Sequence, residues 1–197
     1  MLIESEEERR VVRGRVLGAW LALVEQWHRE THGEDCTALH ADVPRWRPSG
    51  SKVGIVQAGT IRWAQELRSL IAVVRLASDA GFDELRWDLA FTSASICEYG
   101  GYVDEWQETT QLALAATERA GHRRGKAAML YSAGRLDMMR QRLRDAEHNF
   151  TRALELVETE GDPRDRALLL RNLRALYGGV DEHGTAGLPL TRSERGS

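Results

Sequence analysis

LDMMRQRLRDAEHNFTRALELVETE, residues 136–160, carries in its second half a spacing that also occurs earlier in the chain. Ala146, Phe150 and Ala153 stand at offsets 0, 4 and 7, and forty residues upstream Trp106, Thr110 and Ala113 stand at the same offsets. The register extends outward: Ala127, Leu130 and Gly134 correspond to Trp87, Ala90 and Ala94, and forty residues on to Ala167, Leu170 and Arg174. Steps of three and four residues keep side chains on one helix face, and a forty-residue unit holds two helices and their joints. The pattern predicts an all-α chain of antiparallel helix hairpins stacked in one orientation, each covering the apolar face of its neighbour.

Composition agrees with one domain. The 197 residues can bury a substantial core, and a net charge of -3 gives no global attraction to nucleic acid or an anionic membrane. Four prolines and few β-branched runs leave little from which to build a sheet. Cys36 and Cys97 lie far apart behind an N-terminus that does not read as a signal peptide, so a reduced cytoplasmic setting is expected. No apolar run reaches the roughly 20 residues of a membrane span, and no membrane partner is expected.

Outward from the repeat, helices are expected at 83–99, 102–119, 123–140, 143–160 and 163–177, joined at Gly81, Gly100-Gly101, Gly121, Gln141-Arg142 and Gly161-Asp162-Pro163. Such short joints force antiparallel neighbours. Asp162 reads as a cap, with Pro163 in the first turn. Upstream, the charged opening ESEEERR leads into an apolar stripe of Val12, Val16, Leu17, Trp20, Leu21, Val24 and Trp27, ended by Gly33. Residues 33–60, with two prolines and four glycines, read as a long loop packed through Leu39, Val43 and Trp46 or partly disordered. A second helix is expected from about Thr60 to Ala80. Three regions result: a capping helix and loop at 1–60, helical repeats at 61–178 and a disordered tail at 179–197.

The small residues have a steric reason. Gly134, Ala146 and Ala153 allow the helices of a hairpin to approach closely, while Leu130, Leu143 and Phe150 fill the spaces between hairpins. The last helix is expected to expose Leu169, Leu173 and Leu176 unless the tail folds over them, which makes it a candidate for homo-oligomer formation.

GYVDEW at 101–106 followed by LALAATERAG, RLRDAEHNFTRALEL at 142–156 and GDPRDRALLLRNLRALY at 161–177 resemble tetratricopeptide repeats. The run RWAQELRSLIAVVRLASDAGFDELRWDLA at 62–90, leading into YVDEW, is similar to the C-terminal helical-repeat region of actinobacterial transcriptional regulators of the antibiotic-regulatory type. The resemblance covers residues 62–177 and, more loosely, 10–46. It implies a right-handed superhelix and a protein-interaction or effector-sensing role in transcriptional control, as a fragment or a free-standing module. Two positions depart from the repeat: Asp137 stands where an aromatic is usual and Trp106 where alanine is usual, so local distortion is expected. No P-loop motif occurs.

The expected binding surface is the concave face lined by the first helix of each hairpin, receiving a peptide or helix from another protein or from another domain of a larger regulator. Glu98, Tyr131, Arg135, Met138, Arg171 and Arg174 are its candidate contacts, because they lie on first helices away from the packing slots. The alternative is a small-molecule sensor that encloses an effector between the N-terminal helix and the repeats, with Trp46 and Trp63 as ligand-binding residues.

Other chemistries are weaker. His28, His32, Cys36 and His40 recur every four residues, but the helix breaks near Gly33, so no metal and no cofactor are expected. Cys97 reads as a buried small hydrophobe, and no nucleophile motif is visible, so the chain is not expected to be an enzyme. Arg119, His122, Arg123, Arg124 and Lys126 form one basic cluster and Arg140, Arg142 and Arg144 another. Glu118, Asp137, Asp145 and Glu147 interrupt them, so they read as solvated surface and no direct nucleic-acid partner is expected.

Overall fold

The computed structural model describes residues 5–32, 38–46, 69–77, 80–158 and 162–181. These residues form helices, turns and one segment of irregular chain at 40–46, with no strand among them. The helices are α1 (Glu6–His32), a helical stretch at 69–77 taken as α2, α3 (Asp83–Gly100), α4 (Val103–Arg119), α5 (Arg123–Met139), α6 (Leu143–Glu158) and α7 (Pro163–Asp181). From α3 onward each helix packs on the next, α5 also reaches α3, and α1 lies on α3. The chain is all-α, as the repeat required, and the helix starts at 83, 123, 143 and 163 coincide with those read from the sequence. α7 continues through Gly178 and Gly179 to Asp181, past the expected end at 177. No helix among the described residues is long and apolar enough to cross a membrane.

The joints repeat as regularly as the helices. Gly81, Gly101, Gly121 and Gln141 adopt left-handed φ values of 70°, 71°, 64° and 59°. At the next residue the N–H of Phe82, Tyr102, His122 or Arg142 donates to the carbonyl of Ala77, Cys97, Thr117 or Asp137, at 2.8 to 3.0 Å. That bond is the 6→1 closure of a helix ending in a left-handed residue. Glycine meets the φ requirement without strain at three of the joints, and Gln141 meets it against its own Cβ. At the last joint the Asp162 carboxylate accepts the Arg164 N–H at 2.9 Å, and Pro163 is the first helical residue.

The forty-residue register is visible as burial. Ala146, Phe150, Ala153, Trp106, Thr110 and Ala113 are all buried. A Cβ on Gly134 would lie 2.6 Å from Phe150 Cε1, so α5 and α6 depend on that glycine for their approach. Trp106 donates its indole N–H to Ser132 Oγ at 2.7 Å. Asp137 accepts from Asn149 Nδ2 at 2.8 Å and from Arg142.

The register fails in α7. Ala167 and Arg174 are exposed and Leu170 is half-buried. The face they occupy would meet a following helix, and none stands there among the described residues. Instead Leu169, Leu173 and Leu176 are buried in the cluster that holds Leu39, Phe150 and Val157. They are therefore consumed internally and offer no apolar patch for self-association.

In α1, Ser5 and Glu8 form a reciprocal capping pair, Ser5 N–H to Glu8 Oε2 at 2.7 Å and Glu8 N–H to Ser5 Oγ at 3.2 Å. Leu17, Leu21, Val24 and Trp27 are buried, but Val12 and Val16 of the expected stripe are exposed. The loop reading holds for 38–46, where Leu39 and Ala41 are buried and Val43 packs on the core.

Turn and packing carry opposite expectations. Gln141→Gly is expected to stabilise the chain by about 1 kcal/mol, because glycine adopts that φ freely. Gly134→Ala is expected to destabilise it by about 1–3 kcal/mol through overpacking against Phe150. Urea denaturation beside the parent measures both, and unchanged midpoints refute the assignments.

Candidate functional site

The segment at 38–46, a turn followed by irregular chain, is held from both sides by carboxylates on first helices. Asp165 of α7, 1% exposed, accepts the Leu39 N–H at 2.7 Å. Asp88 of α3, fully buried, accepts the Ala41 N–H at 3.1 Å and the His40 Nδ1–H at 2.6 Å. Arg45 Nη2 donates to Asp88 Oδ2 at 2.8 Å and lies 2.6 Å from Glu25 Oε1 on α1. The same guanidinium donates back to the carbonyls of Ala41 and Val43, at 2.6 and 2.7 Å. Burial alone would lower the Arg45 pKa, but the Glu25 hydrogen bond and the charges of Asp88 and Glu25 raise it above the ordinary value.

Two backbone features fit the segment to its place. Leu39 has φ 61°, a conformation that costs a non-glycine residue about 1–3 kcal/mol and persists only where its surroundings hold it. Gly18 of α1 leaves room for the chain at 44–46, since a Cβ there would lie 2.9 Å from the Pro44 carbonyl oxygen.

Beside the segment lies a cavity of about 350 Å³ between α1, α3, α5 and α7. Ala38 and His40 form part of its wall, with Trp106 and Phe91. Four of the six expected contacts, Glu98, Tyr131, Arg135 and Arg171, also line it. Arg135 pairs with Glu98 across α3 and α5, and Asn172 of α7 links to Arg135 at 3.5 Å and to Tyr131 at 3.4 Å. Burial disfavours the Arg135 cation, yet Glu98 and Tyr131 outweigh it and raise the pKa.

The other two expected contacts do not join them. Met138 is half-buried against the core, because α5 is enclosed by α3, α4 and α6 and has few sides left for a ligand. Arg174 is exposed and away from the cavity wall. Trp46, 42% exposed, lines a second, more open cavity of about 560 Å³ with Val11, Gly14, Phe82 and Leu85. Trp63 and Cys36 lie outside the described residues, as does the tail beyond 181.

Of the histidine series, His28 and His40 face the 350 Å³ cavity and His32 ends α1. The metal-type cluster among the described residues is a different one, Glu25, His40 and Asp88, with ligand atoms within 4.8 Å of one another. Arg45 already bonds two of the three, so a cation would have to expel the guanidinium. In the basic clusters Lys126 pairs with Glu118 at 3.0 Å, Arg124 with Asp165 at 3.2 Å and Arg140 with Asp104 at 3.6 Å.

Sequence reasoning missed Asp88, Asp165 and Arg45, and named His40 only within the histidine series. The available signal for Asp88 was an acid set between Trp87 and Leu89, since a carboxylate facing a core must find donors. No protein-family model, curated protein or solved structure matches the chain.

Cys97 is buried, and burial with the nearby Glu105 charge pushes its thiol up to about 12. In a Cys36→Ser background, Cys97 is expected to resist iodoacetamide at about pH 8.5 in the folded chain and to react on unfolding, as mass spectrometry reads directly. Rapid native alkylation refutes its placement.

Proposed function

We propose that this chain is a protein-interaction module of regulatory type, in which the face shared by α3, α5 and α7 receives an extended segment of another protein or of another domain of a larger regulator. The observation that carries the reading is the convergence of Glu98, Tyr131, Arg135 and Arg171, from three successive first helices, on one cavity. Side chains from one helix recognise a short motif, whereas side chains from three stacked helices read a segment laid across them. The segment at 38–46 supports the same reading, since polar groups of α3 and α7 already hold main-chain N–H groups on that face.

The resemblance to tetratricopeptide repeats and to antibiotic-regulatory regulators supports a cytoplasmic role in transcriptional control, with a right-handed superhelix as the expected scaffold. Binding rather than catalysis is the proposed activity. The polar groups of the cavity bond largely to one another, Arg135 to Glu98 and Ser132 to Trp106 and Thr110, an arrangement suited to shape and charge recognition. A second reading, an effector sensor between α1 and the repeats, is favoured by the apolar cavity at Trp46. It is the weaker one, because ligand sites usually combine an apolar wall with several convergent polar groups, and this wall is chiefly apolar.

The test is capture from native-host extract on the tagged parent chain and on an Arg135→Glu/Arg171→Glu variant, read by quantitative mass spectrometry. A partner retained by the parent is expected to fall by about tenfold or more on the variant, the effect of reversing two charges at a binding surface. Equal recovery on a variant with parental helicity removes the proposal.

A further inference from the structure

We propose that residues 38–46 are a built-in ligand of this face, and that the partner segment that competes with them carries an anchoring leucine and, at the spacing of Leu39 and Arg45, one cationic side chain. The inference rests on the reading that the face of α3, α5 and α7 receives a segment, and it names both the class of segment and what keeps the face closed.

Four features of the segment carry it. Its principal anchors come from distant helices, Leu39 meeting Asp165 of α7 and Ala41 meeting Asp88 of α3. Two of these contacts are made by main-chain N–H groups, which every non-proline residue carries, so the acceptors are not specific to this stretch of chain. Glu25 and Asp88 are answered by the His40 and Arg45 side chains, so that part of the face selects donors and positive charge, while Asp165, paired with Arg124 of α5, takes only the Leu39 N–H. Leu39 is fully buried and supplies the apolar anchor.

The hold is also strained. Leu39 keeps φ 61° while it is docked, and release returns it to ordinary backbone. A partner segment that carries leucine and arginine at the same separation reproduces the anchors without that distortion. Occupancy in cis then lowers the apparent affinity for the partner by the fraction of molecules whose face is open.

The experiment uses the full chain and a labelled peptide of the segment's own sequence, Ala-Leu-His-Ala-Asp-Val-Pro-Arg-Trp, read by fluorescence anisotropy. A His40→Ala/Arg45→Ala variant, which frees the acceptors, is expected to bind the peptide about tenfold tighter than the parent. Adding Asp88→Asn is expected to abolish the gain, and peptides with the leucine changed to aspartate or the arginine to glutamate are expected not to bind. Parental affinity in a helical double variant overturns the proposal, as does equal binding of the charge-reversed peptide. Hydrogen exchange on the parent gives a second arm that needs no variant to fold. The Leu39 and Ala41 amides are expected to exchange at least about tenfold faster than buried amides of α5, through local opening. Exchange of those amides only with global unfolding overturns the proposal. Partner capture that depends on Arg135 and Arg171, found together with parental peptide affinity in the double variant, overturns this inference and leaves the interaction role standing. Peptide binding without partner capture has the opposite meaning.

Discussion

A carboxylate removed from water has to be answered by donors, and Asp88 is the one on which this fold turns. It is fully buried on α3 and is reached by the Ala41 N–H, by His40 and by Arg45. Glu25 brings α1 into the same network through Arg45. Withdrawing one partner from such a group costs about 3–5 kcal/mol, far more than an exposed ion pair contributes. The segment at 38–46 is therefore placed by electrostatics as much as by the burial of Leu39. Because Glu25 and Asp88 share a single guanidinium, α1 and α3 are joined through that segment as well as by direct packing.

The hairpin stack was legible because it depends on short-range periodicity. Ala146 and Trp106 stand in equivalent slots, and both are buried for the same geometric reason. The joints were legible too, although the left-handed residue at 141 is a glutamine and so lacks the glycine that marks the others. The register broke in α7 where its physical cause is missing: residues 167, 170 and 174 would face a further helix. Met138 was misread for the converse reason, since a central helix is covered on nearly every side and distance from one packing slot does not mean exposure.

The contacts that hold the segment could not be read from local pattern. Leu39 and Asp165 are 126 positions apart, and His40 and Asp88 are 48 apart. No periodicity links them, and only the finished stack brings α3 and α7 to the same segment. Of the residues expected at the binding face, those that met were the ones on the α3, α5 and α7 sides turned toward one another. Glu98 and Arg135 pair across two of these helices, and Asn172 extends the network to the third.

The cavity and the segment share atoms, which makes them one surface rather than two. Ala38 and His40 line the cavity, while the N–H of Leu39 between them is spent on Asp165 and the imidazole of His40 on Asp88. The two parts differ in charge. Beneath the segment the fixed groups are Glu25, Asp88 and Asp165, the last paired with Arg124, whereas the cavity wall carries Arg171 and the Arg135–Glu98 pair. The chain at 38–46 therefore lies over acceptors at one part and beside guanidinium-bearing helices at the other. Residues 38–46 follow that division, with Arg45 on the acidic part and only Ala38 and His40 of the segment in the cavity wall.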